Sequence, residues 1–425
     1  MTTFFHVTLH SIPACHIREY PRATADDQED ALSLVIKQYT PRNRSAASNA
    51  ITIIGAHANG FPKELYEPLW DDLHQSLAKK DIPIAGIWIA DVAHQGASGV
   101  LNEGKLGDDP SWADHPRDLF LMINHFRRHM RRPLVGIGHS MGGNNIVNLS
   151  IVHPRLFASV ILVDPVIQRY MTTTGDAAKA STVRRDMWPS RQAAADTMQA
   201  SKFYRTWDPR VFDRWTQHGL RDLPTYHHPD TMLKPSAIVS ADPTSVLQPS
   251  PPSAPPVTLT TTKDQEVLTF FRANLPTVHH PDPGRRPNPL THPDVDPDAS
   301  PSSPFYSPTA TSTFHKLPFL RPSTLYIFGD PSLSPLSSPL TRADKLANTG
   351  TGVGGSGGVR QGRVAYTVFD GVGHLIPMQA VEKTAEACAS WIAPEIERWR
   401  RIEDAERAEW SQVAPREKAL LKDEY

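Results

Sequence analysis

Pro133-Leu134-Val135-Gly136-Ile137-Gly138-His139-Ser140-Met141-Gly142-Gly143 is the stretch whose reading decides the fold. A short apolar, β-branched run enters Gly138-x-Ser140-x-Gly142, and residues 144–151 continue with helical character. Strand, tight turn and helix in that order are the setting in which Gly-x-Ser-x-Gly forms a nucleophile elbow. So tight a turn has no room for a Cβ at Gly138 or Gly142, and it forces Ser140 into a strained backbone with its hydroxyl presented outward. The motif alone recurs by chance; its flanks make it informative.

Outward from the elbow, the pattern alternates. Residues 3–12, 31–39, 50–56, 84–90 and 159–163 read as strands, and the nearly all-apolar run 50–56 suits a strand covered on both faces. Leu65, Leu69, Leu73 and Leu77 recur four apart and predict an amphipathic helix over 65–78; a second helix is predicted over 115–130. Residues 96–107, with their glycines, read as a long loop. Strands alternating with helices predict an α/β fold with a mostly parallel, doubly wound sheet.

After Asp164 the alternation stops until a strand starting at Thr324. A gap of roughly 160 residues is too long for a plain loop and predicts a large lid insertion between the strand ending at Val163 and the one starting at Thr324. The chain then divides into residues 1–164, the first part of the core; 165–322, the lid; 323–400, the second part of the core; and 401–425, a charged tail. Within the lid, Trp188, Trp207 and Trp215 lie among plausible helices, whereas 249–256 and 281–308 are dense in proline, serine and histidine and read as extended or disordered. Residues 350–358 read as a flexible glycine-rich connector before a last strand over 363–369 and a last helix over 382–401.

Composition agrees with a catalytic core diluted by proline-rich insertions: 39% of the 425 residues are hydrophobic and 40 are proline. A formal net charge of −1 offers nothing to nucleic acid or an anionic membrane. Cys15 and Cys388 are the only cysteines, too few for a disulfide framework and suited to a reducing compartment. No apolar run is long enough to span a bilayer, and residues 1–6 do not read as a signal peptide.

A serine hydroxyl needs a base at neutral pH. His374, in Gly373-His374-Leu375-Ile376-Pro377 after the last strand, is the candidate. Two aspartates compete to orient it: Asp164, at the end of the strand 159–163, and Asp330, directly after Gly329. Asp164 is preferred, because no carboxylate follows Asp330 at the usual few residues' remove. The oxyanion requires preorganised N–H donors, for which the backbone of Met141 and of Asn59, in the turn His57-Ala58-Asn59-Gly60, are the candidates. Asp91 reads as scaffolding and His139 as packing. The pairs His227-His228 and His279-His280 lack zinc-type spacing. No metal and no organic cofactor is implied.

The elbow with this Ser–Asp–His order resembles the α/β-hydrolases. A narrower likeness rests on His16-Ile17-Arg18-Glu19-Tyr20-Pro21, Pro62-Lys63-Glu64-Leu65-Tyr66-Glu67-Pro68-Leu69-Trp70, Met122-Ile123-Asn124-His125-Phe126-Arg127, residues 135–143, 153–157 and 354–359, and Gly373-His374-Leu375-Ile376-Pro377. These segments are similar to a fungal family that includes the peroxisomal acyl-CoA hydrolase of mycophenolic acid biosynthesis and hydrolases of host-selective toxin pathways. The resemblance implies a serine hydrolase of secondary metabolism acting on a small-molecule acyl thioester or ester, with the acid at the position of Asp164. Ala58 stands where the mycophenolate enzyme has glycine. Asp423-Glu424-Tyr425 is not a peroxisomal tripeptide of the Ser-Lys-Leu kind, so the cytoplasm is the default expectation and the peroxisome the one the resemblance implies. A carboxylesterase or carbon–carbon bond hydrolase on the same triad is an alternative, as is a non-catalytic hydrolase-fold binding protein. Arg184, Arg185, Arg191 and Arg205 suggest a basic mouth on the lid, suited to coenzyme A phosphates.

Overall fold

The computed structural model describes residues 2–43, 49–170, 175–229, 254–273, 292–295 and 305–419. Its central sheet is built from β1 (Phe5–Pro13), β2 (Ser33–Pro41), β3 (Ile51–Ala56), β4 (Ile84–Ala90), β5 (Leu134–His139) and β6 (Phe157–Val163). Two later strands, here placed by residue as Ser323–Gly329 and Val364–Phe369, complete it. The order is β1-β2-β4-β3-β5-β6, then Ser323–Gly329 and Val364–Phe369. β1, β2 and β4 pair antiparallel; every pair from β4 onward is parallel.

The period of two along each strand divides the core between two faces. Ile51, Ile53, Ile87, Ile89, Val135, Ile137, Ile161, Val163, Leu325 and Ile327 face one apolar layer. Ile54, Trp88, Leu134, Val160, Leu162, Tyr326 and Phe328 face the other. Helix α1 (Glu67–Ala78) covers the first layer with Leu69, Leu73 and Leu77. The second is covered by Leu119, Met122 and Ile123 of Asp114–His125 and by Ile146, Val147 and Leu149 of Met141–Val152. Because both faces are buried, the central strands carry no polar alternation.

Several expectations need correction. Residues 96–107 are not simply a loop: Gly96–Asn102 is a helix, α2. Its first turn is capped by two side chains, since the Ala97 N–H donates to Asp91 Oδ2, six residues upstream, at 2.9 Å and the Gly96 N–H to the remote Thr261 Oγ1 at 2.9 Å; these acceptors offset a poor local propensity. Residues 350–358 are not a slack connector. Gly350, Gly352 and Ser356 donate their N–H groups to the carbonyls of Leu317, Pro318 and Leu320 at 2.8, 2.8 and 3.0 Å. The boundary at Arg401 falls inside a continuous helix, Val381–Ser411.

With Asp114–His125 as α3 and Met141–Val152 as α4, the lid continues the helices as α5 (Gly175–Val183), α6 (Arg191–Gln199), α7 (Pro209–His218), α8 (Lys263–Phe270) and α9 (Pro308–Phe314). Met187–Trp188, Val257–Leu259 and Leu220–Asp222 form a small antiparallel sheet. Of the stretches expected to be extended or disordered, residues 249–253, 281–291 and 296–304 lie outside the described residues, as do His279, His280 and 423–425. Residues 305–306 form a short strand pair with Arg272–Ala273, and α9 starts at Pro308. No described helix is long and apolar enough to cross a membrane. The Cys15 and Cys388 thiols are free.

Candidate active site

The elbow forms where β5 ends. Ser140 has φ 57° and ψ −117°, a conformation that costs on the order of 1–3 kcal/mol and persists only when its surroundings hold it. They do: the Ser140 N–H donates to the Val163 carbonyl at 2.9 Å and the Ser140 carbonyl accepts from the Val166 N–H at 3.2 Å. A Cβ on Gly138 would lie 2.3 Å from the Gly142 carbonyl oxygen, and one on Gly142 would lie 2.1 Å from that of Ala56. The first turn of α4 thus lies against the end of β3, where the loop that carries Asn59 begins. Gly142→Ala is expected to lower stability by about 2–3 kcal/mol, the usual scale for overpacking, read as a shift in the urea midpoint at unchanged slope.

Four loops bring the chemistry together at the carboxyl ends of the parallel strands. The His374 ring stands with Nε2 2.9 Å from Ser140 Oγ and Nδ1 2.7 Å from Asp164 Oδ2. A carboxylate only accepts, so Nδ1 carries the proton and Nε2 is free to accept from the serine hydroxyl. Asp164 is fully buried, with φ 38°, and its N–H donates to the Ile327 carbonyl at 2.7 Å. Burial alone raises its carboxyl; the His374 hydrogen bond and charge, together with Lys345 and Ser337, outweigh that and hold it below the usual carboxylate range.

Asp330 is differently engaged. Its carboxylate accepts from the Ser332 N–H and hydroxyl at 2.9 and 2.6 Å and from the Gly371 N–H at 2.9 Å. It closes its own turn and ties that turn to the loop that leads to His374. The structure therefore brings together Ser140, His374 and Asp164, with Asp330 outside that cluster.

The expected oxyanion loop is held at both sides of Asn59. The Ala58 N–H donates to the Tyr66 hydroxyl at 2.9 Å and the Gly60 N–H to Gln95 Oε1 at 2.8 Å. The Phe61 N–H closes the turn on the Ala58 carbonyl at 3.2 Å, and Gly60, at φ +79°, supplies the positive dihedral that a type II turn requires at its third residue. That leaves the Asn59 N–H with no acceptor among the described residues. The Met141 N–H lies in the first turn of α4, where helices leave donors without an internal partner. The Asn59 side chain is pinned to α8 of the lid through the Glu266 carbonyl at 3.0 Å and to Gln95 Nε2 at 2.6 Å.

Sequence reasoning missed several residues around this cluster. Ser334 and Ser337 both donate to the Asp164 carboxylate, at 2.7 and 2.5 Å; nothing in the spacing distinguishes them from ordinary turn serines. Lys345, of helix α10 (Pro339–Asn348), is fully buried with Nζ 2.9 Å from the Pro165 carbonyl. Burial lowers its ammonium to about 8, against the opposing pull of Asp164. Asp91, read as scaffolding, accepts from the Lys63 N–H at 2.9 Å and pairs with its ammonium.

The basic mouth also needs correction. Arg184 is spent on the buried carboxylate of Glu266, and Arg191 donates to the carbonyls of Thr216 and Leu220 and to Asp222. Arg185 Nε donates to the Met187 carbonyl. Three of the four guanidiniums thus donate to acceptors of their own segment, Arg184 and Arg191 to carboxylates among them; Arg205 remains exposed.

Buried histidines surround the site. Burial pushes both His94 and His139 down to about 3, and lowers His57 and His115 as well. Their folded values lie below the unfolded value of about 6.5, so between those limits the unfolded chain binds more protons. Their contribution to stability is complete above about pH 6.5 and is lost progressively as pH falls below it. At pH 5.5 His94 and His139 should each cost about 1 kcal/mol relative to pH 7.5, seen as a lower urea midpoint.

Comparison with known proteins follows the same outline. A sequence profile described as serine aminopeptidase, S33, matches residues 70–225. The type I acyl-CoA thioesterase mpaH of Penicillium roqueforti is 44% identical over 408 residues, covering 94% of this chain and 90% of the relative. The abhydrolase domain-containing protein ACTT2-1 of Alternaria alternata is 26% identical over 266 residues, 62% of this chain and 84% of that protein. Among solved structures, the peroxisomal α/β-hydrolase Lpx1 of Saccharomyces cerevisiae superimposes with a TM-score of 0.67 at 17% identity, covering 99% of this chain and 100% of its own; at that identity the likeness concerns the fold.

Proposed function

Because the chain belongs to the α/β-hydrolase superfamily, in the family of the fungal type I acyl-CoA thioesterases, and is therefore a hydrolase, we propose that it cleaves a small-molecule acyl thioester through an acyl-enzyme on Ser140. The observation that carries this reading is the unbroken proton path from Ser140 Oγ to His374 Nε2, 2.9 Å, and from His374 Nδ1 to Asp164 Oδ2, 2.7 Å.

In this reading Ser140 Oγ attacks the thioester carbonyl as His374 Nε2 takes its proton. Asp164 holds the ring in the tautomer that makes Nε2 the acceptor and balances the imidazolium. The N–H groups of Asn59 and Met141 receive the oxyanion. The tetrahedral intermediate collapses by expelling the thiolate, which His374 protonates. Water then loses a proton to the same nitrogen, attacks the acyl-Ser140 carbonyl, and releases the carboxylic acid with the serine restored. These steps use only side chains, backbone N–H groups and water.

A panel of acyl-CoA thioesters, aryl esters and diketones tests the bond that is cleaved. Release of free coenzyme A thiol at a kcat/KM at least about tenfold above that for esters of the same acyl group is expected, a difference of about 1.4 kcal/mol in transition-state binding. Exclusive turnover of diketones would remove the thioester proposal.

A further inference from the structure

We propose that Tyr66 and His139 are positioning residues forming one bridge between the oxyanion loop and the segment that carries His374. The inference rests on the Ser140–His374 site described above and adds to it a device for keeping oxyanion donor and base in mutual register.

With the His139 ring neutral, the direction of every proton in the bridge is fixed. The His374 carbonyl accepts only, so the His139 nitrogen 2.9 Å from it, Nε2, must carry a hydrogen. In a neutral ring Nδ1 is then the acceptor, and the Tyr66 hydroxyl, 3.0 Å away, donates to it. The Tyr66 oxygen in turn accepts the Ala58 N–H at 2.9 Å. For a neutral ring, no other assignment satisfies all three contacts.

Ala58 and Tyr66 are each 2% exposed and His139 is 1% exposed, so water cannot substitute for a missing partner without a rearrangement. Burial keeps His139 neutral, at about 3, and raises the Tyr66 phenol well above its usual range. The proton pattern therefore stays fixed near neutral pH. Next along the loop, His57 Nδ1–H donates to the Ala58 carbonyl at 2.8 Å, and its Nε2 accepts the Val92 N–H at 3.0 Å. With the Ala58 N–H and carbonyl both held, the peptide leading to the Asn59 N–H cannot rotate freely. His139 is also the residue before Ser140, so the bridge joins nucleophile, base segment and oxyanion loop through side chains that need not touch substrate.

Removing the Tyr66 hydroxyl would leave two buried polar groups unpaired and release the loop. Preorganisation matters in the transition state, not in substrate binding. The test uses the full chain, with rates normalised to sites titrated by a fluorophosphonate, so that any misfolded fraction drops out. Tyr66→Phe is expected to lower kcat roughly tenfold or more with KM within about twofold, and to weaken an aryl boronate, a tetrahedral-adduct mimic, by the same factor as kcat/KM. His139→Asn keeps an acceptor near Nδ1 and loses the donor to His374. His139→Gln does the reverse. Each should show part of the loss, and Tyr66→Phe combined with His139→Asn should fall short of the sum.

The two His139 variants carry the test if Tyr66→Phe does not fold. Unchanged kcat per titrated site and unchanged boronate affinity in the variants that fold, with only a lower Tm, would reduce the bridge to packing and overturn the proposal. A Ser140→Ala protein with full activity would instead remove the site reading on which it stands. An inactive Ser140→Ala beside wild-type-like bridge variants would remove the bridge alone.

Discussion

Ser140→Ala is expected to lower kcat for the best acyl thioester by about 10⁴-fold or more, the scale seen when a triad nucleophile is lost, and to abolish labelling by a fluorophosphonate. The hydroxyl stands 2.9 Å from His374 Nε2, and no other group within the site supplies an oxygen in that place. Alanine keeps the Cβ that already tolerates φ 57°, so the elbow should remain intact and Tm close to wild type. Labelling and thiol release therefore separate lost chemistry from lost fold. Equal labelling of wild type and Ser140→Ala, or none of either, would sink the acyl-enzyme reading.

Asp164→Asn should lower kcat by about 10³–10⁴-fold at nearly constant KM, while Asp330→Asn stays within about threefold of wild type. An amide at position 164 presents an NH2 where the His374 ring needs an acceptor, and it disturbs an oxygen pair already receiving Ser334 and Ser337. The ring would then turn, or take the other tautomer, and Nε2 could no longer accept from Ser140. The Asp330 carboxylate contacts Ser332 and Gly371, so its loss should loosen a turn without altering the proton path. Steady-state kinetics of the two variants side by side decides between them; activity surviving at Asp164→Asn and lost at Asp330→Asn assigns the acid to the wrong strand.

Local constraints were legible. The elbow is specified within a few residues, because two missing Cβ atoms and one strained serine are properties of adjacent peptides. The strands β3, β5 and β6 were legible as continuous apolar runs, since burial on both faces removes polar alternation. The helix over Leu69, Leu73 and Leu77 followed from its period. The glycine-rich runs at 96–102 and 350–358 were misread for the complementary reason: their order is supplied by a side chain just upstream, Asp91, and by the remote Thr261 and the carbonyls of residues 317–320.

By itself, then, the sequence determined the class of fold, the position of the serine and the candidate base, because these follow from backbone sterics and from hydrophobic period over short windows. Only the tertiary structure decided which aspartate stands beside His374, that Ser334, Ser337 and Lys345 surround it, that Arg184 and Arg191 of the inserted segment are already paired with carboxylates, and that His139 is hydrogen-bonded through Tyr66 to the turn that carries Asn59. The physical reason is range: a hydrogen bond is made or lost within a few tenths of an ångström, and which polar groups meet at that distance depends on how distant loops end against one another.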